Sequence, residues 1–515
     1  MTDQEKKTLE QKLWRIVSDH LRGTMGADRF KDYILGFIFY KYLSDRMHAF
    51  ANKVLKSADI DYLEIKHDSV HVTDKGEVQG MTFLDAIREV ARNDIGYFLR
   101  PDQLFSVISS RGRHGDFILD EVKAVLTSIE QSTMGSEAED DFIHLFSGLD
   151  LTSPDLGRTE DAKNALVSSI LSRLDEIDFG VDDVEGDILG DAYEYLIGKF
   201  AAGAGQSAGE FYTPQQVSRI LARIVSSGRD KLKSVYDPTC GSGSLLLRVA
   251  REVKKVDRFY GQEKNTTTFN LARMNMLLHG INYRNFDIQN EDTLKSPKHE
   301  GNTFDAIVAT PPFSIPWSSH ESFLQDDRFA QYGRLAPKSR ADYAFICHML
   351  SHLAENGTMA VVLPHGVLFR GGAEGVIREY IIREKNWLDA VIGLPADIFY
   401  GAAIPTCLMV FKKCRTDEDV LFVDASQCFE RGQAKNALRD DHVEKIVDTW
   451  ERREEIDRFS RRVSLREIKE NGYNHHGTRR LRIELNQMAQ KHGFFATTHG
   501  CHWLTLPEAP GMFGQ

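Results

Sequence analysis

Residues 234–244 read Ser-Val-Tyr-Asp-Pro-Thr-Cys-Gly-Ser-Gly-Ser, and this stretch decides the fold. Residues 234–237 carry a strand pattern and residues 245–255 a helical one, so the glycines lie between a strand and a helix. Gly241 and Gly243 lack the Cβ atoms that would keep a ligand away from the backbone, and the helix start offers free N–H groups. The third glycine of the dinucleotide-binding fingerprint is absent. The stretch therefore predicts a strand, a ligand-binding loop and a helix.

Strands alternate with helices from residue 210 to about residue 425. This rhythm predicts an α/β fold with a doubly wound, mostly parallel sheet. The helices include residues 268–279 and 341–355. Residues 388–394 and 405–412 are joined by a connection too short for a crossover helix, so they fit an antiparallel hairpin. The candidate strands are residues 234–237, 258–262, 285–288, 304–309, 358–363, 388–394, 405–412 and 420–423.

A second loop follows the apolar run of residues 304–309 and reads Thr310-Pro311-Pro312-Phe313. A buried parallel strand that ends in two prolines delivers a rigid loop at the carboxyl edge of the sheet, where open α/β folds bind ligands. The loop offers a hydroxyl, a proline carbonyl and an aromatic ring, which suit the amino group and the face of a flat base. Taken alone, the same residues also fit a plain diproline end to a strand.

Residues 1 to about 150 carry helical patterns without a catalytic constellation. The aromatic stripe at residues 37–42 favours a core position over a base-stacking platform. A further helix over residues 188–200 leads into residues 201–208, which are small and uncharged. That segment fits either a plain linker or a loop that closes over a bound ligand.

The composition is that of an ordinary globular protein, with 515 residues of which 42% are hydrophobic and 27% charged. This length provides for two or three domains. The apolar runs are too short to span a bilayer, and the N-terminus lacks the layout of a signal peptide. Six cysteines are scattered without C-x-x-C spacing. We therefore predict a cytoplasmic protein with no metal site and no disulfide framework.

The net charge of −12 bears on nucleic-acid binding. A protein that grips DNA unaided normally shows a basic surface. Two interpretations stay open: another subunit supplies the grip on DNA, or the charge is uneven and leaves a local basic cleft.

The glycine loop resembles the first motif of S-adenosylmethionine-dependent methyltransferases, Asp-Pro-x-x-Gly-x-Gly. The loop at residues 310–313 resembles the catalytic tetrapeptide of amino-methyltransferases, Asn/Asp/Ser-Pro-Pro-Tyr/Phe. This resemblance implies S-adenosylmethionine as cofactor, with Glu263 on the ribose hydroxyls and Asp292 accepting from the adenine amino group. The implied catalytic residues are Thr310, Pro311, Pro312 and Phe313. The implied cofactor-binding residues are Glu210, Phe211, Tyr212, Thr213, Pro214, Gln215, Asp237, Gly241, Ser242, Gly243, Ser244, Glu263 and Asp292.

Residues 32–35, 209–214, 270–276 and 369–374 are similar to the modification subunit of type I restriction–modification systems. The resemblance covers roughly residues 10–474. It implies a methyltransferase fold behind an α-helical N-terminal domain, and site-specific methylation of adenine N6 in DNA. The partners it implies are DNA, a specificity subunit, a second copy of this chain and a motor–nuclease restriction subunit. We predict a helical N-terminal domain at residues 1–185, a methyltransferase catalytic domain at residues 186–430 and a helical or irregular C-terminal region at residues 431–515.

The chain departs from that family at two places. Thr310 stands where adenine enzymes nearly always carry asparagine. After Asn474 the chain lacks the family's proline- and arginine-containing strand and its long helical tail, which helps to dock the specificity subunit. Three functions therefore compete: an active adenine methyltransferase, a cofactor-binding scaffold with weakened catalysis, and methylation of a small molecule or a protein glutamine. The helical N-terminal domain disfavours the third.

Overall fold

The N-terminal part of the chain is mostly helical, as its sequence predicts, but it also contains two paired strands that the helical pattern missed. A computed structural model describes residues 3–21, 27–65, 70–72, 78–180, 188–203, 213–399, 404–432, 435–470 and 473. Its first elements are α1 (Asp3–Leu21), α2 (Ala27–Leu55), the antiparallel strands β1 (Val70–Val72) and β2 (Val78–Thr82), α3 (Phe83–Asp94), α4 (Phe105–Arg113), α5 (Leu119–Ser132), α6 (Glu139–Phe142), α7 (Glu160–Asp175) and α8 (Ile188–Gly203). The side chains from Phe37 to Tyr40 are fully buried, so the aromatic stripe belongs to the core.

The second part of the chain is built on one large sheet. Its elements are α9 (Gln215–Ser226), β3 (Lys231–Asp237), α10 (Ser244–Glu252), β4 (Lys255–Glu263), α11 (Thr266–Leu278), β5 (Phe286–Asn290), β6 (Phe304–Ala309), α12 (Asp342–His352), β7 (Leu353–Pro364), α13 (Ala373–Glu379), β8 (Leu388–Gly393), β9 (Thr406–Lys412), β10 (Asp419–Asp424), β11 (Glu430–Arg431), β12 (Asn436–Ala437), α14 (Asp440–Arg452), β13 (Ser460–Ser464) and α15 (Leu465–Glu470). Over the described residues, the large sheet has the order β13-β10-β8-β9-β7-β6-β3-β4-β5.

Helices cover both faces of this sheet because its central strands are apolar on both sides. In β6, Ala306 and Val308 belong to one buried cluster, whereas Ile307 and Ala309 belong to another. The first cluster includes residues of α9, α10, α11 and α14, and the second includes residues of α12, α13 and α15. The alternation along β6 thus assigns each residue to one layer.

The predicted doubly wound, mostly parallel sheet is confirmed. β5, β4, β3, β6 and β7 pair in parallel, and β8 pairs in parallel with β10. The predicted antiparallel hairpin is also confirmed, since β9 pairs antiparallel with β8, and it inserts between β8 and β7.

Two helix ends were predicted too far along the chain. α10 ends at Glu252 because Lys255 already begins β4, and α12 ends at His352 because Leu353 begins β7. The pattern also missed β13, which pairs antiparallel with β10. The sheet therefore draws a strand from beyond residue 430, and the proposed division into domains stays a prediction.

The N-terminal helices pack against α11 of the sheet region. Arg273 donates to the carbonyls of Asp140 at 2.8 Å and Ile143 at 3.0 Å, and Tyr42 donates to the carbonyl of Leu277 at 2.8 Å. These bonds link two regions far apart in sequence. In the described part of the chain, no helix combines the length and the apolar character needed to cross a membrane.

Candidate active site

The two loops singled out in the sequence lie at neighbouring strand ends. β3 and β6 pair in parallel, with Tyr236 opposite Ile307, so both strands finish at the same edge of the sheet. The glycine loop follows β3, and residues 310–313 follow β6. Because the carboxyl edge of an open α/β sheet is where ligands bind, this edge is the candidate site.

The glycine loop takes a backbone path that only glycine adopts freely. Gly241 has φ of +54° and Gly243 has φ of +77°, both in the left-handed region. The Gly243 N–H donates to the carbonyl of Cys240 at 2.8 Å, which closes the turn directly before α10. The side chains of Ser242 and Ser244 lie 3.0 Å apart, oxygen to oxygen.

Glu263, the last residue of β4, contacts the glycine loop. Its Oε2 accepts from the Gly241 N–H at 3.1 Å, and its Oε1 accepts from the Asn265 N–H at 2.8 Å. The structure therefore brings together the acid and the loop that the sequence assigned to one ligand. An acidic acceptor beside glycine N–H groups suits a nucleoside-like ligand with hydroxyls to donate.

Asp237, the last residue of β3, is buried at the start of the loop. Only 2% of the residue is exposed, and its Oδ1 accepts from the Thr239 N–H at 2.9 Å. Burial, together with the nearby Glu263 charge, raises the pKa of Asp237 to about 7. The hydrogen bond from the Thr239 N–H to Asp237 therefore stabilises the turn at the start of the glycine loop.

Asp292 lies two residues beyond the end of β5, on the outer part of the same edge. Its Oδ1 accepts from the Leu294 N–H at 3.1 Å, which forms a local turn, and its Oδ2 lies 3.1 Å from Lys264 Nζ. The strands that precede the glycine loop, Glu263 and Asp292 are adjacent in the sheet. All three predicted cofactor elements therefore meet at one edge.

The upstream motif is described only in part. Glu210, Phe211 and Tyr212 lie outside the described residues, whereas Thr213 and Pro214 lead directly into α9 at Gln215. α9 packs against β6 and β7, the strands beside the second loop.

The loop at residues 310–313 carries a polar group, the Thr310 hydroxyl, and an aromatic ring, that of Phe313. The Thr310 hydroxyl oxygen is buried and has no hydrogen-bond partner among the described residues. Pro311 is buried, and Phe313 is half-buried, with its ring edge-to-face against Phe399 at a centroid distance of 5.8 Å and an angle of 77°. Phe399 lies in the segment after β8, six residues beyond the strand end, and no local sequence pattern indicates its contact with Phe313.

A buried carboxylate anchors the exit of this loop. Ser314 has φ of +52°, which is unusual for a residue with a side chain. Asp342, the first residue of α12, accepts from the Ser314 N–H at 2.8 Å and from the Ser314 hydroxyl at 3.0 Å. Arg370 donates to the same carboxylate at 2.9 Å. We call Ser314, Asp342 and Arg370 the loop clamp.

The loop clamp was also missed by sequence analysis. The Arg370 guanidinium pairs with Asp342, a contact between segments far apart in sequence that no local pattern indicates, and it lies 3.6 Å from Glu374. Gly366 makes this packing feasible, since a Cβ there would collide with the Arg370 guanidinium. The clamp therefore holds a strained backbone directly after Phe313.

Comparison with known proteins gives consistent matches. The family model for N-6 DNA methylases matches residues 184–487, and the model for the HsdM N-terminal domain matches residues 9–174. The MpnII type I methylase subunit of Mycoplasma pneumoniae is 36% identical over 493 residues, which cover 91% of this chain and 88% of that protein. The MjaVII methylase subunit of Methanocaldococcus jannaschii is 33% identical over 327 residues, or 60% of this chain and 55% of that protein.

A solved structure matches over nearly the whole chain. It is the type I restriction–modification methyltransferase subunit of Streptococcus thermophilus, which is 40% identical. The match has a TM-score of 0.82 and covers 92% of this chain and 99% of that one.

Proposed function

Because this chain belongs to the N-6 DNA methylase family, as a type I restriction–modification methylase subunit, we propose that it methylates adenine N6 at sites chosen by a specificity subunit. The predicted methyltransferase fold behind a helical N-terminal region is confirmed by these matches. Membership in a DNA methylase family removes the support for a small-molecule or glutamine substrate. One observation carries the proposal: the Thr-Pro-Pro-Phe loop and the glycine loop end two paired strands at one edge of the sheet.

The cofactor of this family of enzymes is S-adenosylmethionine, which supplies an activated methyl group. The residues at the strand ends fit it. Gly241 and Gly243 leave the loop backbone open to a ligand, and Glu263 places a carboxylate beside the Gly241 N–H. We propose that Glu263 binds the ribose hydroxyls, that Asp292 accepts from the adenine amino group, and that Thr213 and Pro214 border the methionine end.

The target adenine is proposed to bind at residues 310–313. Its N6 lone pair is conjugated with the ring and is a poor nucleophile. The Thr310 hydroxyl and the Pro311 carbonyl would accept hydrogen bonds from the N6 hydrogens, which favours a tetrahedral nitrogen with its lone pair free. The Phe313 ring, steadied by Phe399, would stack on a base flipped out of the duplex. Much of the rate enhancement then comes from orientation, which the loop clamp maintains.

A second candidate is a cofactor-binding scaffold with weakened catalysis. The buried position of the Thr310 hydroxyl favours it, since a hydroxyl that is inaccessible to solvent reaches a target amino group poorly. The side chain is also shorter than asparagine and lacks an amide carbonyl. Loss of one transition-state hydrogen bond costs about 3 kcal/mol, or about a hundredfold in rate.

The proposed assembly contains one specificity subunit, two copies of this chain and, for restriction, a motor–nuclease subunit. Such an assembly explains how an enzyme with a net charge of −12 can act on DNA, because the specificity subunit would provide the sequence-specific DNA binding. The predicted departure after Asn474 lies outside the described residues. We propose a cytoplasmic location, because the DNA substrate lies there.

The experiment compares wild type with Thr310→Asn, each with one specificity subunit and one duplex that carries its site. Methyl transfer to adenine by wild type supports the leading proposal. If the wild-type chain binds the cofactor but does not methylate DNA, and Thr310→Asn restores methylation, the scaffold proposal is supported. If neither form methylates DNA although both bind the cofactor and assemble, the proposed activity is wrong.

A further inference from the structure

The segment after the catalytic loop folds back along itself. We call residues 314–341 the arm. The Ala341 N–H donates to the carbonyl of Ile315 at 2.8 Å, and the Trp317 N–H donates to the carbonyl of Lys338 at 3.0 Å. The indole Nε1 of Trp317 donates to the carbonyl of Pro337 at 3.1 Å. The base of the arm is therefore a paired structure that begins two residues after Phe313.

Three cations lie on the returning half of the arm. Arg334 and Lys338 are exposed, and Arg340 is half-buried. Among the residues that the structure describes, none of these three side chains has a hydrogen-bond partner or an ion pair within contact distance, although the Arg340 charge acts on the Glu374 carboxylate. We call Arg334, Lys338 and Arg340 the cationic strip.

The other charges of the arm are arranged differently. Arg328 is buried, pairs with Asp326 at 2.7 Å and donates to the carbonyls of Thr293 and Leu294, so its charge is committed to the fold. Glu321 and Asp327 belong to the outgoing half of the arm. The acidic residues of the arm therefore lie on its outgoing half, whereas the cationic strip leads back to its anchored base.

The cationic strip is tied to the part of the arm that directly follows the proposed base-binding loop. A flipped nucleotide stays covalently attached to its strand, so the phosphates on either side lie close to the loop that receives the base. Lys338 is bonded through its carbonyl to Trp317, four residues from Phe313. An acidic protein needs local positive charge there if its own surface is to hold a polyanion.

We propose that the cationic strip binds the phosphates that flank the target adenine. The inference rests on the proposed function for the identity of the substrate, and it identifies where the chain itself touches DNA. The specificity subunit would still select the sequence, because phosphate contacts carry orientation and affinity rather than base recognition.

The test uses the full-length chain with Arg334→Gln and Lys338→Gln, singly and together. The matched control is Lys233→Gln, because Lys233 is an exposed lysine near the start of β3, at the opposite edge of the sheet. Binding to a labelled duplex is measured between about 50 and about 200 mM salt. Each lost phosphate contact should reduce the slope of log affinity against log salt by about 0.9 and weaken binding five- to tenfold at about 100 mM salt.

In the complex with the specificity subunit, the double variant should raise KM for DNA and leave cofactor affinity unchanged. An unchanged salt slope in the double variant overturns the proposal, and so does a wild-type chain that binds no duplex at about 50 mM salt. Failure of the double variant to assemble with the specificity subunit, with duplex binding intact, would make the strip a protein-docking surface instead. A wild-type complex that binds DNA but transfers no methyl group refutes the proposed activity while the salt slope still tests the strip.

Discussion

Replacement of Asp342 by asparagine should slow methyl transfer and leave cofactor binding intact. The Asp342 carboxylate is fully buried and accepts three hydrogen bonds, two from Ser314 and one from Arg370. Asparagine has nearly the same size but only one acceptor. It can keep the Ser314 N–H bond at 2.8 Å, but it loses the charge that attracts Arg370 and the oxygen that receives the Ser314 hydroxyl.

The size of the effect follows from these contacts. Two hydrogen bonds to a charged group are lost, each worth about 1.5–3 kcal/mol when fully buried. Because 23% of the Arg370 side chain is exposed, the lower end applies, and the free energy of unfolding should fall by about 3 kcal/mol. Ser314 is then free to leave its left-handed conformation. A shift of about 1 Å in the adjoining catalytic loop reduces the rate by about a hundredfold.

The assay measures methyl transfer to a duplex by the complex with its specificity subunit, and cofactor affinity by calorimetry. The matched control is Asp389→Asn. Asp389 is 4% exposed and accepts from Trp450 Nε1 and Arg453 Nη1, each at 2.9 Å, but it lies at the start of β8, away from the site. It should lose similar stability and keep its rate. Equal rates for wild type and Asp342→Asn, or equal rate losses in the two variants, would refute the role of the loop clamp.

Three further predictions concern the cofactor edge. Glu263→Ala should weaken S-adenosylmethionine binding by about 1–3 kcal/mol, because the ribose hydroxyls and the Gly241 N–H lose their acceptor; equal affinities in calorimetry would remove Glu263 from the site. Asn275→Ala should also weaken cofactor binding, because Asn275 Nδ2 donates to the carbonyl of Ser242 at 2.9 Å and so holds the glycine loop; unchanged affinity with unchanged folding would contradict this. Asp237→Asn should flatten the pH dependence of unfolding. The folded-state pKa of Asp237 is about 7 against an ordinary value of 3.8, so this group stabilises the fold below about pH 4 and loses that contribution as pH rises to about 7, at up to about 1.4 kcal/mol per pH unit. Denaturant titrations at several pH values across that range should show that the free energy of unfolding falls less steeply with pH in the variant. An identical pH dependence in the two proteins would contradict the prediction.

The sequence alone determined the chain order of the strands in the sheet region and the two loops at its carboxyl edge. The eight candidate strands correspond to β3 through β10. They could be identified because a buried strand is recognisable in the sequence as a short apolar run. The loops that follow β3 and β6 were identified because glycine and proline restrict the backbone locally. Glu263 could be assigned to the glycine loop because parallel strands deliver their ends to one edge.

Only the tertiary structure decided what holds that edge in place. Ser314, Asp342 and Arg370 are separated by 28 residues at each step, and no local pattern relates them. β13 joins the sheet through pairing with β10, which its own five residues do not encode. Phe399 reaches Phe313 from the segment that follows β8. Periodicity and turn chemistry act over a few residues of chain, whereas these contacts exist only after distant segments have packed against one another.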